Sequence, residues 1–187
     1  MPDTRFAAMI DPTAGGPSRA AGAARAARPA GLRGLRVGLL ANSKRNAEQF
    51  LDDVGALLAA EHGTAGVVKR RKTSITDPVP AQTLAELVEQ CDVAVVGVGD
   101  CGSCSASAVA DGLLLEAAGV PAVVICSDAF RVSADAMAGL QGSPGYVYVT
   151  TPHPVAPLGA ADVQERARLA LPEIVGILTS AAVTAAA

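Results

Sequence analysis

From residue 36 onward, short runs of β-branched apolar residues alternate with longer segments of helical period. The short runs predict strands at residues 36–41, 65–70, 92–98, 121–125 and 146–150. Apolar residues that recur at i, i+3 and i+4 predict helices at 46–60, after Pro80, and at 104–118, 129–140 and 160–180. Regular alternation of strand and helix is typical of βαβ units around a parallel sheet.

This element order predicts a single flavodoxin-like or Rossmann-like doubly wound sheet of about five mainly parallel strands, with helices on both faces. We expect the strand order 2-1-3-4-5. The run 92–98 is almost wholly apolar, which indicates a central strand covered on both faces. Ligands of such sheets bind beyond the carboxyl ends of the strands, so function should lie in the loops that follow them.

The length of 187 residues fits one domain, which we expect at residues 36–187. Residues 1–35, rich in Ala, Arg and Pro, predict a flexible leader, with a short edge strand at 6–11 as an option. A net charge of −3 and an aromatic content of 3% disfavour nucleic-acid and membrane partners. Four cysteines do not form a secreted disulfide framework, and the apolar stretches are too interrupted for a membrane helix, so we expect a cytoplasmic protein.

The sharpest chemical feature is a Cys-Gly-Ser-Cys motif where the third strand turns into a helix. Backbone N–H groups at a helix N-terminus favour an anion and lower the pKa of a thiol there, which predicts Cys101 as nucleophile and Cys104 as its partner. Asp100 is a candidate proton donor or acceptor. His153, between two prolines, is a candidate general acid or base. The competing interpretation of the motif is two small buried residues in a tight turn.

Other polar residues follow the predicted strands and form the candidate substrate-binding set. Lys44 and Lys72 would lie near the point where strand order reverses and clamp an anionic substrate. The set comprises Asn42, Ser43, Lys44, Lys72, Ser103, Ser105, Cys126 and Asp128. No cofactor is firmly expected, because the GxGxxG match at residues 97–102 lies on the third βα unit rather than the first. A metal bound by Cys101, Cys104 and Cys126 is the alternative.

These residues together resemble the UGSC family, named for a selenocysteine-Gly-Ser-Cys motif in which many members carry Cys at the first position. The resemblance rests on Asp11-Pro12-Thr13, residues 38–44 with Asn46, Lys72, residues 97–105, and Pro152-His153-Pro154. It implies that Cys101 occupies the selenocysteine position, with a redox-active or strongly nucleophilic role. Some relatives are suggested to be similar to organomercurial lyase. The chain departs from the family pattern at Ser43 and at Cys126-Ser127-Asp128.

The leading hypothesis is a cysteine-dependent lyase or reductase that cleaves or reduces a carbon-heteroatom bond of a small, anionic substrate. Its partners would be that substrate and a thiol reductant, with self-association as a further option. Two alternatives stay open, namely a thiol-based metal-binding or redox-sensing module and a racemase-like enzyme in which thiols transfer protons.

Overall fold

Five parallel strands form one sheet in residues 25–179, the part of the chain that this computed structural model describes. Their order is β2-β1-β3-β4-β5, as the sequence predicts. The strands are β1 Arg36–Ala41, β2 Gly66–Arg71, β3 Val93–Gly99, β4 Ala122–Ser127 and β5 Val149–Thr151. The predicted edge strand at 6–11 and the Asp11-Pro12-Thr13 motif lie outside the described residues.

Helices cover both faces of the sheet, which confirms the doubly wound architecture. On one face α1 packs against α5 around Phe50 and Ile174, and on the other α2, α3 and α4 pack around Leu87, Val109 and Ala134. The helices are α1 Ala47–His62, α2 Ala81–Gln90, α3 Gly102–Ala117, α4 Arg131–Leu140 and α5 Ala160–Thr179. Strand order reverses between β1 and β3, so ligand-binding loops are expected beyond these two strands.

Strand β3 lies at the centre, and all seven of its residues are buried. Its pairing with β4 is irregular between Val96 and Gly99, after which Gly99 pairs with Cys126. The strand extends one residue beyond the predicted end, so the buried Asp100 follows it directly. The central sheet edge therefore delivers a carboxylate immediately before the Cys-Gly-Ser-Cys motif.

Two element boundaries differ from the prediction for identifiable reasons. Helix α3 begins at Gly102, two residues early, because Cys101 caps it. Strand β5 contains three residues rather than five. Tyr146 and Tyr148 precede β5 and pack into the core beneath α3 and α4, where the Tyr148 hydroxyl donates a hydrogen bond to Asp135 at 2.7 Å.

The described end of the predicted flexible leader, residues 25–35, is docked onto the domain. Leu32 is buried in the core, and the Arg28 guanidinium donates two hydrogen bonds to the Glu116 carboxylate, at 2.6 and 2.7 Å. Glu116 is itself buried, and a buried carboxylate needs such a counter-charge. The leader prediction therefore does not hold for these residues. Within residues 25–179, no helix combines the length and the apolar character needed to cross a bilayer.

Candidate active site

The loops after β1, β3, β4 and β5 meet at the carboxyl edge of the sheet. They bring together most of the predicted site residues, which sit on four separate loops in the sequence. The resulting cluster comprises Asn42, Lys44, Asp100, Cys101, Cys104, Ser127, Asp128 and His153.

Cys101 and Cys104 occupy the first turn of α3 and are joined as a disulfide, with their Cα atoms 5.4 Å apart. Cys101 is the N-cap residue, and its sulfur accepts the backbone N–H of Cys104 at 3.4 Å. Cys101 is partly exposed whereas Cys104 is fully buried. The hydroxyl of the exposed Ser103 lies 3.7 Å from the Cys101 sulfur. In the reduced protein, Cys101 is therefore the thiol that a substrate can reach, and the helix N-terminus favours its thiolate.

Asp100 is the most heavily hydrogen-bonded side chain of the cluster. Its Oδ1 accepts from the Ser127 hydroxyl, from His153 Nδ1 at 3.0 Å and from the Val155 N–H at 3.0 Å, and its Oδ2 accepts from the Ala156 N–H at 2.9 Å. Burial raises the pKa of this carboxyl, but the hydrogen bonds outweigh burial and leave the pKa below its ordinary value. Asp100 is thus an ionised acceptor that orients its neighbours, and of the two roles expected from the sequence, proton donor or acceptor, its environment favours the acceptor.

His153 is held by contacts to three residues, and its side chain stays partly exposed. Because ionised Asp100 can only accept, His153 Nδ1 carries the proton of their hydrogen bond, and Nε2 becomes the basic nitrogen. The His153 backbone N–H donates to Asp128 Oδ1 at 3.0 Å, and the Phe130 ring meets the imidazole edge-on with centroids 5.0 Å apart. The side chain is 38% exposed. Such a His–Asp pair can exchange protons with a bound molecule.

The loop after β1 closes the other side of the cluster. Asn42 Nδ2 donates to the Val98 carbonyl at 2.9 Å, and Lys44 Nζ donates to the Asp100 carbonyl at 3.0 Å. Asn46 adopts a φ of 67° and its Nδ2 donates to the carbonyls of Val155, Ala156 and Leu158. The Asn46 amide therefore ties this loop to the segment that carries the donors of Asp100. Ser43, half-buried, lines an open polar cleft with Lys44 and Asn46.

Three predicted substrate-binding residues have environments that differ from the prediction. Lys72 is buried in an ion pair with Asp111, so its ammonium is not presented to a substrate as an anion clamp. Ser105 is fully buried on the core side of α3, where its hydroxyl faces the Cys126 thiol. Cys126 is also fully buried, and burial raises the pKa of its thiol to about 12. Ser105 lies within α3 and Cys126 within β4, so the core-facing side of each element holds these side chains away from the open edge of the sheet.

Residues 25–179 contain no group of three or more His, Cys, Asp and Glu side chains arranged to hold a metal ion. The site also contains residues that were not among those predicted from the sequence. Ser127 and the N–H groups of Val155 and Ala156 bind Asp100, and Asp111 holds Lys72. The spacing of Cys104, Ser107 and Asp111 at i, i+3 and i+7 along α3 places them on one helix face and was a signal for the last of these contacts.

Gly99 sets how closely α3 approaches the sheet, and Gly99→Ala is expected to reduce stability by about 2 kcal/mol. A Cβ atom there would lie 2.7 Å from the Ser105 Cα and 2.9 Å from the Cys126 sulfur, so α3 would have to move. Urea unfolding measures the change. Gly139→Ala is the matched control, because Gly139 lies in α4 with nothing within 4 Å and should gain stability. Equal stability of Gly99→Ala and the native protein would contradict the close approach.

Comparisons with known proteins identify the family of the chain. Among solved structures, one similar chain is a diflavin flavoprotein A3 from Nostoc sp., with 14% identity and a TM-score of 0.40 over 76% of this chain and 94% of that one. No curated protein matches the sequence. The model of the UGSC family matches residues 8–180. That match spans nearly the whole chain, including the Cys101-Gly-Ser-Cys104 motif and His153, and the chain therefore belongs to the UGSC family.

Proposed function

We propose that the protein is a thiol-dependent reductase that cleaves a carbon-heteroatom bond of a small anionic substrate. The observation that carries this proposal is the Cys101–Cys104 disulfide at the N-terminus of α3, adjoining the His153–Asp100 pair. A reactive dithiol and a proton-transfer pair on adjoining loops are the two components that such a reduction needs.

The first step breaks the carbon-heteroatom bond. The Cys101 thiolate attacks the heteroatom X of a substrate R–X and forms an S–X bond, while the electron pair of the C–X bond passes to carbon. Protonated His153 Nε2 donates its proton to that carbon and gives R–H. The Asp100 carboxylate accepts the Nδ1 proton and fixes the orientation of the ring, whose side chain is partly exposed.

The second step completes turnover within the motif. The Cys104 thiolate attacks the Cys101 sulfur, and X leaves as X⁻ with the electron pair of the S–X bond. The dithiol has then lost two electrons, R–X has gained them, and the disulfide is the product left on the enzyme. An external dithiol reductant restores both thiols by thiol–disulfide exchange. A reducing cytoplasm, the compartment expected from the cysteine content, would supply that reductant.

Two contacts support an anionic substrate. The Lys44 ammonium lies 3.0 Å from the Asp100 carbonyl at the start of the Cys-Gly-Ser-Cys turn, and its side chain is partly exposed. The first turn of α3, with the exposed Ser103, adds backbone N–H groups that favour negative charge. A carboxylate on the substrate would find both beside Cys101.

The geometry favours reduction over proton transfer between opposed thiols. Racemisation by two thiols requires one on each side of the reacting carbon, whereas the two motif sulfurs lie side by side on one helical turn. The lyase hypothesis shares the first step but leaves X bound to the thiols instead of forming a disulfide. The fate of the two sulfurs therefore separates a lyase from a reductase.

A single-turnover experiment tests the proposal. Reduced protein, freed of reductant under anaerobic conditions, is mixed with a panel of α-halo and α-thio carboxylates, and R–H, X⁻ and protein disulfide are quantified. We expect the three products in equal amounts for a substrate of the panel. Cys104→Ser should instead stop with X on Cys101, visible by mass spectrometry. Product without disulfide would replace the reductase with a lyase, and neither product nor adduct across the panel would overturn the proposal.

A further inference from the structure

A buried charge cluster lies beneath the motif, between the end of β2 and the middle of α3. Lys72 Nζ donates hydrogen bonds to Asp111 Oδ2 at 2.5 Å and to the Ser107 hydroxyl at 2.7 Å. Asp111 Oδ1 accepts the Val79 N–H at 2.7 Å, and the Ser107 hydroxyl donates to the Asp77 carbonyl at 3.0 Å. The Lys72 and Asp111 side chains are only 3% and 1% exposed.

Stability alone gives a weak reason for such a pair. Removing two charges from water costs about as much as their attraction returns, and buried ion pairs replaced by apolar residues often leave stability unchanged or improved. Burial raises the pKa of Asp111, against the opposing influence of Lys72, which shows that the carboxylate is held in an unfavourable medium.

The cluster shares a small enclosed cavity with Cys104. Lys72, Asp111 and Cys104 all line this cavity, together with Asn42 and Ala108. Cys104, Ser107 and Asp111 follow one another at i, i+3 and i+7 along α3, so they share one face of the helix. An ammonium has three N–H donors, and the contacts to Asp111 and Ser107 use two of them. The third is available to a group in this cavity.

Cys104 needs such a donor once the disulfide is reduced. Its side chain is 0% exposed. Burial raises the pKa of the other two buried thiols, Cys91 to about 11 and Cys126 to about 12. Without a nearby positive charge, the buried Cys104 thiol would resist ionisation for the same reason. Only a thiolate, however, attacks the sulfur of Cys101 efficiently.

Other charged groups near α3 have contacts of their own, and Lys44 is the one assigned above to the substrate carboxylate. On α2, Glu86 pairs with Arg70, and on α4, Asp135 accepts from Tyr148. Lys44 binds the Asp100 carbonyl, and Asp100 accepts from the loop after β5. The titratable groups on α3 and on the elements around it whose charge can influence the ionisation of Cys104 are Lys72, Asp111, Cys101, Asp100, Lys44, Glu86, Asp135 and Cys126.

We propose that Lys72, held in place by Asp111 and Ser107, stabilises the Cys104 thiolate of the reduced protein and thereby enables its attack on Cys101. The inference rests on the proposed function, in which Cys104 displaces X⁻ from the Cys101 sulfur and forms the disulfide. Lys72 acts through Cys104 and does not touch substrate, so it is a positioning residue. Asp111 fixes the ammonium and, by its own negative charge, limits how strongly the ammonium favours the thiolate.

The test measures the ionisation of Cys104 directly, without a substrate. In a Cys101→Ser background, thiolate absorbance near 240 nm is followed against pH, and burial raises the pKa of the Cys91 thiol to about 11 and that of the Cys126 thiol to about 12. We expect Cys104 to ionise below both. Adding Lys72→Met should raise its midpoint by about one pH unit or more, a tenfold loss of thiolate at a given pH. Lys72→Arg, which keeps the charge, should largely restore it.

Asp111→Asn should shift the Cys104 midpoint in the opposite direction. It keeps the ammonium and removes the neighbouring negative charge, so the Cys104 midpoint should fall. A midpoint unmoved by Lys72→Met, or shifts in the same direction for both variants, would overturn the inference. If Lys72→Met does not fold, the double variant Lys72→Met/Asp111→Leu removes both charges and should show a smaller rise, because the loss of Asp111 offsets part of the loss of Lys72. Because the titration needs no turnover, its outcome is separate from that of the single-turnover experiment.

Discussion

Replacing Cys101 with serine is expected to abolish reductive turnover, by about 10⁴-fold or more. A serine hydroxyl at the N-cap still accepts the Cys104 N–H, so α3 keeps its start, but it neither ionises at neutral pH nor forms an S–X bond. The same substitution should remove the rapidly alkylating thiol of the reduced protein. Iodoacetamide labelling at pH 7, read residue by residue by mass spectrometry, measures this second effect.

Two matched variants separate nucleophilic reactivity from general thiol content. Cys104→Ser should retain rapid labelling of Cys101, because the N–H groups that favour its thiolate belong to the backbone. Cys126→Ala should leave the labelling profile unchanged, since the Cys126 thiol is fully buried with a raised pKa. Rapid labelling that persists in Cys101→Ser would assign the reactive thiol to another residue and contradict the proposed nucleophile.

Asp100→Asn is expected to reduce both activity and stability. The amide has one NH₂ group, which would face the Val155 or Ala156 N–H in place of an accepting oxygen, and it lacks the charge that holds the His153 Nδ1 proton. Loss of charge-assisted hydrogen bonds to a buried carboxylate predicts a fall of about 3 kcal/mol in the free energy of unfolding. Turnover should fall by about 10³-fold or more, because the imidazole loses its orientation and tautomer. Urea unfolding and single-turnover rates measure the two effects.

The pH dependence of stability gives an independent check on Asp100. Its pKa in the folded protein lies below the unfolded value of about 3.9. Its contribution to stability is therefore complete above that unfolded value and is lost as pH falls through the folded pKa. Below about pH 4 the native protein should lose stability more steeply than Asp100→Asn, which has no carboxyl to protonate at this position. If the free energy of unfolding fell equally with pH below pH 4 in the two proteins, Asp100 would not be held ionised in the folded state.

The periodic parts of the structure were predictable from sequence. Strand β3 is an apolar run long enough to mark the centre of the sheet, and the Cys-Gly-Ser-Cys motif follows it so closely that its location at a helix N-terminus could be predicted. His153 could be nominated because two prolines flank it. These features are encoded locally, in spacing and residue type, and the structure retains them.

Long-range pairings could not be predicted in the same way. The N–H donors of Val155 and Ala156 are backbone groups of a loop. Every residue type except proline has such a group, so the sequence does not indicate that these two bind Asp100. Lys72 follows a strand, as an anion-binding residue would. The direction of its side chain, however, depends on the ion pair with Asp111, which lies far from it in the sequence on α3. Nor could composition show that Arg28 pairs with Glu116. The two residues are 88 positions apart in the sequence, and they meet only because residues 25–35 pack against the domain.

The disulfide at the head of α3 has a practical bearing on how the protein is handled. A sample kept in air would hold both motif sulfurs in covalent linkage with each other, leaving none to meet an electrophile. Screens conducted without dithiothreitol or a comparable additive would then record an inert protein whatever substrate was offered. Libraries of candidate compounds should therefore be surveyed on freshly reduced material, with the untreated sample serving as the blank.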